Sequence, residues 1–579
     1  SIQDIRRLAP IRSGLTLFFN SIQTMKRIFY LFAVPLMTLV ACSDFLELDE
    51  SEYHTVKYQF STFRRVKQNA TNVYGYVRDG LADVEDTMLD VASDDAVYAW
   101  ETSNIKRFYD GSWSPINLID DRWDNLYEAI AAANYFLENC PEDFPDAKYQ
   151  DSYEEDLKQL RNYPYEIRAL RAYFHFELLK RYNSIILGKH SFTKEEVNDL
   201  KPVSYAEAVG WIVSECDAVI PVLPTTYSGS YYGEVGRVTR GMAQALKARV
   251  LLYAASPLNN PGNDKLPYLK AALAAKELID SDIYELIDEQ TTNNASAQGL
   301  IFGKLCPLSS NFETANFPIG YEGGNSGVCP SQNLAEAFDM RNGKSFNCND
   351  VGHWRNQLNA SMRDPRFAKT LLYNGAQFKD QYIQSYIGGR NGQPLDGASP
   401  TSYYLYKHIQ EETSFVAGNE TYFQHVYPLF RYAEVFLNYA EALSAATRDA
   451  LFTGTIDVDG KPVEFTLSPL KALNAVRTRY GMPALTSVIN YESFEDRLRR
   501  ERRVELAFEG HRFWDLRRWK IGSQTTRIYG LEITNSNGVI SLTRKLIQER
   551  IWQDKMYFYP IAQTERYNNR NLIQNIGWN

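Results

Sequence analysis

The stretch "RRVELAFEGHRFWDLRRWK", residues 502–520, decides how the rest of the chain is read. Six arginines or lysines, three acids and four bulky aromatics stand in it with little polar filler. Such a stretch suits a nucleic-acid patch, a pair of catalytic carboxylates, or a charged piece of scaffold. Treated as helix, residues 495–509 place Leu498, Glu501, Glu505 and Phe508 on one face, with Glu509 a turn beyond Glu505. Two carboxylates about 5–9 Å apart are the equipment of a glycosidase. The alternative is buried acid–arginine pairing, with Arg499, Arg502, Arg503 and Arg512 adjacent, because the arginine fork satisfies a carboxylate at two points. Interleaved acids argue against a nucleic-acid patch, which would leave its cations unpaired.

Charge points the same way. The chain has 579 residues and a formal charge of −9. Residues 1–41 hold five cations and one acid, so the 57 cations and 70 acids that remain give −13. An acidic body disfavours nucleic acid as the main partner. The aromatic load, 39 Tyr, 30 Phe and 9 Trp, suits a large core or a sugar-binding surface.

Near the start, Met25, Lys26 and Arg27 precede an apolar run from Ile28 to Val40 that is too short to span about 30 Å of hydrocarbon. This reads as a secretory signal over 25–41, with 1–24 as an upstream extension. It ends in Leu39-Val40-Ala41-Cys42, which is similar to a bacterial lipobox and makes Cys42 the candidate lipidated residue. Lipidation leaves five cysteines, of which Cys329 and Cys348 can pair in an exported protein.

From about 60 to 285 the apolar spacing predicts successive helices. Ile167, Leu170, Phe174 and Leu178 share a face, Thr239 is a candidate cap, and residues 266–281 form another helical run. Helix pairs joined by short turns suggest a tetratricopeptide-type scaffold. Helical periodicity fades from about 286 to 425, where Gly, Asn, Ser, Tyr and Pro rise. A segment of that length is read as a functional excursion. Helices return at 427–443, with a stripe of Leu429, Ala433, Phe436, Ala440 and Leu443. The expected organisation is a helical region 42–300, an excursion 301–426 and a C-terminal region 427–579.

Several motifs fail. "RNGKS" at 341–345 has Phe338 where a phosphate loop needs glycine. The glycines of 320–327 do not link a strand to a helix. "DVDG" at 457–460 lacks the rest of a calcium loop. The seven histidines form no metal-binding pattern, so no metal or other cofactor is inferred.

The chain resembles the SusD/RagB family, glycan-binding outer-membrane lipoproteins of Bacteroidota. The resemblance rests on the lipobox with "FLEL" after it, "EIRALRAYFHFEL" at 166–178, "GRVTRGMAQALKARVLLYAASPLN" at 236–259 and "RDPRF" at 363–367. It continues through "FRYAEVFLNYAEAL" at 430–443, "LNAVRTRYGMP" at 473–483, "ERRVELAFEGHRFWDLRRW" at 501–519 and "QNIGW" at 574–578. Two places depart from the family pattern, "RYNSIIL" at 181–187 and "YPIAQTE" at 559–565. The resemblance implies a mostly α fold of four tetratricopeptide-like helix pairs with a loop-rich excursion. It implies a protein that is not an enzyme, anchored at the outer membrane by lipid and facing the cell surface. It also implies delivery of oligosaccharide to a SusC-like TonB-dependent transporter. Asp44, Glu47, Asp49 and Glu50 resemble an acidic surface-export signal.

Sugars present apolar C–H faces to aromatics and hydroxyls to amides, carboxylates and guanidiniums. The family places an aromatic and an amide after the "SDD" block, which here points to Trp100 with Asn104. Tyr98, Asp95, Arg78, Tyr321 and Trp354 are further candidates, while Trp113, Trp123 and Trp514 are assigned to the core. Glu501, Glu505, Glu509, Arg502, Arg503 and Arg512 are expected to form a structural ion-pair network. The competing functions are an exported peptide-binding lid or adaptor and a glycoside hydrolase using Glu501 and Glu505.

Overall fold

The scaffold is a run of helices that each pack on the next. A computed structural model describes residues 55–197, 199–227, 234–287, 294–486 and 490–579. The signal segment, Cys42 and the acidic run behind it lie outside the described residues. The first half carries α1 (Phe63–Gly75), α2 (Trp123–Asn139), α3 (Tyr153–Tyr182), α4 (Tyr205–Val219), α5 (Arg240–Ala255) and α6 (Lys265–Ile279). The second half carries α7 (Tyr432–Thr447), α8 (Pro469–Thr478), α9 (Tyr491–Glu505) and α10 (His511–Arg518). Contacts run α2 on α3, α3 on α4, α4 on α5, α5 on α6, α6 on α7, then α7 and α9 on α8. The pairs α2/α3, α4/α5, α6/α7 and α8/α9 make a four-pair helical-repeat scaffold.

Local chemistry sets the helix starts. Thr62, Ser204, Thr239, Ser468 and Asn490 each accept a backbone N–H of the first turn, and Pro469 follows Ser468 where its missing N–H costs nothing. Ile167, Leu170, Phe174 and Leu178 are fully buried along α3. Where α5 meets α6, Ala245, Ala248, Ala271, Ala272 and Ala275 are buried. Their small side chains let the two backbones approach.

The excursion is closed at its base by antiparallel strands that flank it in sequence. Strand β2 (Leu300–Ser309) pairs with β4 (Phe423–Arg431), Leu300 opposite Arg431. A core of its own is built from Phe317, Leu372, Ala376, Phe378, Ile383 and Tyr404. The excursion also lends β3 (Val328–Pro330), which pairs with β1 (Ala96–Tyr98) from the N-terminal half.

Three expectations are corrected. Leu429 belongs to β4 and not to the α7 stripe, because pairing with β2 holds Phe423–Arg431 extended. Residues 495–509 are not one helix. Helix α9 stops at Glu505, and Phe508 (φ +57°) and Gly510 (φ +73°) turn the chain through the left-handed region before α10. Cys329 and Cys348 are both free. Pairing of β3 with β1 packs Cys329 inward against Val97 and Ile528.

Candidate functional site

The segment that follows β1 reaches the surface at a junction between scaffold and excursion. Ala96, Val97 and Tyr98 lie opposite Pro330, Cys329 and Val328, and Ala99 N–H donates to Gly327 O at 2.8 Å. Trp100 comes next and is fixed twice by the excursion. Its indole Nε1–H donates to Asn325 O at 2.8 Å, and its ring edge lies on the backbone of Gly397. A Cβ at Gly397 would fall 2.7 Å from Trp100 Cζ2, and the residue sits at φ +75°, so glycine is required on both counts. Ser103 then caps a short 3-10 helix, Asn104–Phe108.

Around Trp100 opens a cleft of about 430 Å³. It is lined by Tyr98, Trp100, Thr102, Ser103, Asn104, Asn325, Glu85 and Asp86. The Asn104 amide is set from both ends. Its Nδ2 donates to Glu85 Oε2 at 3.1 Å, and its Oδ1 accepts from Arg107 Nη2 at 3.3 Å. Burial raises the Tyr98 hydroxyl above its ordinary range, with Asp86 adding to the effect. An indole plane beside a held amide and hydroxyls matches a sugar's C–H face and its ring of hydroxyls.

Of the seven residues proposed from sequence, Trp100, Asn104 and Tyr98 meet in this cleft and four do not. Asp95 is fully buried beneath it and accepts from Arg503 Nε at 2.6 Å. Arg78 lies past the end of α1, donates to Asp83 at 2.6 Å, and lines a separate cavity of about 100 Å³. Tyr321 packs edge-on to Phe378 in the excursion's core, ring centroids 5.0 Å apart, with Arg390 at its hydroxyl. Trp354 is half-buried against the main core on the short helix Val351–Arg355. Trp113, Trp123 and Trp514 are core residues. Sequence reasoning missed Glu85, Asp86, Thr102, Ser103 and Asn325. Thr102 and Ser103 were findable as neighbours of Trp100, whereas Asn325 arrives from 225 residues away.

The charged block works behind this site. Arg503 and Arg512 hold the carboxylates that precede β1: Arg512 forks onto Asp94 at 2.8 and 3.0 Å, and Arg503 spans Asp94 and Asp95. Burial would raise the Asp94 carboxyl, but Arg503 and Arg512 outweigh it and hold it well below the carboxylate range. Asp95, buried beside Asp94, is pushed the other way. The block is therefore not self-matched, and its glutamates pair with distant segments. Glu501 accepts from Arg366 at 2.6 Å and Arg477 at 3.1 Å. Glu505 accepts from Arg366 at 3.0 Å, Arg431 at 2.9 Å and Arg479. Glu509 accepts from Arg431 at 2.8 Å and Lys407 at 2.6 Å. Within the block only Arg502 and Arg518 meet an acid of their own segment, Asp515, both at 2.7 Å. Glu501 and Glu505 are 3 % and 0 % exposed, so their oxygens face guanidiniums and not a substrate. Arg366 and Lys407 come from the excursion, and the block clamps it to the scaffold.

Among the described residues no cluster of three or more His, Cys, Asp or Glu is placed to hold a metal, and no helix is long and apolar enough to cross a membrane. Residues 290–578 match the model of the SusD family. A SusD-like protein, P38, of Formosa agariphila is 25 % identical over 430 residues, 68 % of this chain and 71 % of that one. A SusD-like protein of Bacteroides fragilis superposes with a TM-score of 0.72 at 25 % identity, covering 90 % of this chain and 98 % of that structure. A second B. fragilis structure, described as a SusD-like carbohydrate-binding protein, gives 0.71 at 24 % identity over 89 % and 99 %.

Proposed function

Since this chain belongs to the SusD family, we propose that it binds oligosaccharide in the Trp100 cleft and passes it to a SusC-like TonB-dependent transporter of the outer membrane. Lipid on Cys42 holds it there, facing the outside of the cell. The observation that carries this reading is the fixed indole of Trp100 with the amide of Asn104 beside it. A platform whose edge is pinned by Asn325 and Gly397 stacks on a sugar without first losing side-chain freedom. The four-pair scaffold supplies the rigid base. The charge clamp keeps β1 and the excursion in register.

Isothermal titration of the protein against a broad glycan panel tests this. Binding of an intact glycan is expected, lost in Trp100→Ala. Failure of every glycan to bind, or binding unchanged in Trp100→Ala, overturns the assignment. Release of product by the wild type that Glu505→Gln abolishes without unfolding would show a hydrolase instead.

A further inference from the structure

The cleft carries two acids without an ion-pair partner among the described residues. Several buried acids of the molecule are met by arginine: Asp94, Asp95, Glu166, Glu434, Glu441 and Glu505 each have a guanidinium within ion-pairing distance. Glu85 and Asp86 are both exposed, both line the cleft, and among the described residues neither is in an ion pair. No lysine or arginine lines the cleft with them. Arg107 stands behind Asn104, with one Nη on Leu118 O and the other on the Asn104 amide oxygen. Lys106 is turned to Glu101 O.

The backbone holds these two carboxylates in place. Val84 and Thr87 exchange both backbone hydrogen bonds, at 3.2 and 3.0 Å, which closes a two-residue turn. Glu85 (φ +51°) and Asp86 (φ +60°) occupy its centre, both left-handed. Asn-Gly fits such a turn at lower cost. Two acids persist there in a strained conformation, side by side at the cleft, and strain of this kind gathers at functional sites. Glu85 also orients Asn104, the amide of the proposed sugar site.

We propose that Glu85 and Asp86 make the cleft select by charge, accepting uncharged and amino-bearing glycans and rejecting those that carry uronate or sulfate. The inference rests on the glycan reading above and adds the substrate class to it. A carboxylate accepts hydrogen bonds from sugar hydroxyls and pairs with a sugar ammonium. A uronate or sulfate at the Trp100 plane would face two like charges that no ion pair neutralises, on a chain already at −9.

The test uses the full protein and a panel of neutral, glucosamine-type, uronate and sulfated oligosaccharides, each class in several linkages. Affinities are measured at low and high ionic strength for the wild type and for the Glu85→Gln/Asp86→Asn double variant. Neutral or amino glycans are expected to bind more tightly than their acidic counterparts. The double variant is expected to shrink that ratio about five- to tenfold at low salt, and the wild-type ratio to narrow at about 1 M salt, where screening acts over about 3 Å. Acidic glycans that bind as tightly as neutral ones, or a ratio unchanged in the variant, overturn the inference and leave the glycan reading standing. No binding by any class removes the glycan reading, and the inference with it.

Discussion

The Arg512 guanidinium forks onto Asp94, Nε 2.8 Å from one carboxylate oxygen and Nη2 3.0 Å from the other, across 418 residues of chain. This contact ties the charged block to the strand that presents Trp100. Ser331 of the excursion joins from the other side, donating its hydroxyl to Asp94 O at 2.6 Å and its N–H to Asp95 O at 2.8 Å.

Arg512→Met is expected to destabilise the fold by less than the ~3–5 kcal/mol of a fully stranded buried charge, since Arg503 still meets Asp94 at 3.1 Å. Glycan affinity is expected to fall as well, although Arg512 does not line the cleft. Urea unfolding and titration of the same variant read both effects. Unchanged affinity would separate the clamp from the site.

Trp100→Ala and Trp113→Ala are expected to differ in kind. Trp100 is half-buried at a cleft, and its truncation should cost ~2 kcal/mol or more of glycan binding with little stability. Trp113 is 1 % exposed and packs edge-on against Phe108, Tyr559 and Trp578. Its truncation should cost ~3–5 kcal/mol of stability. Thermal unfolding beside calorimetric titration distinguishes the two.

Gly397→Ala places a Cβ 2.7 Å from the Trp100 ring at φ +75°. Trp100 must move, and glycan affinity should drop roughly tenfold, ~1.4 kcal/mol. Changed intrinsic fluorescence in the free protein is expected to report the displaced indole, with Gly388→Ala, which meets nothing within 4 Å, as the strained control.

Acid is expected to unfold the protein through the clamp. Burial raises the Glu505 and Glu509 carboxyls, but Arg479, Arg431 and Arg366 around the first, and Arg431 and Lys407 around the second, hold both at about 2. Folded values below the ordinary 4.5 give stability that is full above 4.5 and lost as pH falls toward 2. Asp90 has the opposite sign. Burial and the neighbouring Asp95 push it from 3.8 up to about 7, so its contribution is full below 3.8 and disappears as pH rises through about 7. Asp90→Asn should flatten the stability profile between those two values and leave the acid limb intact, as read by urea midpoints against pH.

The sequence reached the helices because a 3.6-residue apolar period and Ser, Thr or Asn caps are local signals. Ile167, Leu170, Phe174 and Leu178, and the cap at Thr239, stand where their spacing put them. Local reading failed where a distant partner decided the conformation, as at Leu429, taken into a strand by β2, and at Glu509, set in a left-handed turn beyond α9. In the candidate site, Tyr98, Trp100 and Asn104, to which the family resemblance pointed, line one cleft. Asp95 carried the same signal yet points inward, because strand pairing of β1 and the pull of Arg503 fix its direction. The chain by itself determined a helical-repeat scaffold, an excursion and an acid–arginine network, because periodicity, composition and charge are properties of the chain. Only the tertiary structure decided which arginine meets which acid, that Asn325 and Gly397 pin the indole, and that Glu85 and Asp86 face it. Those pairings join residues tens to hundreds of positions apart, and side-chain direction there is set by packing.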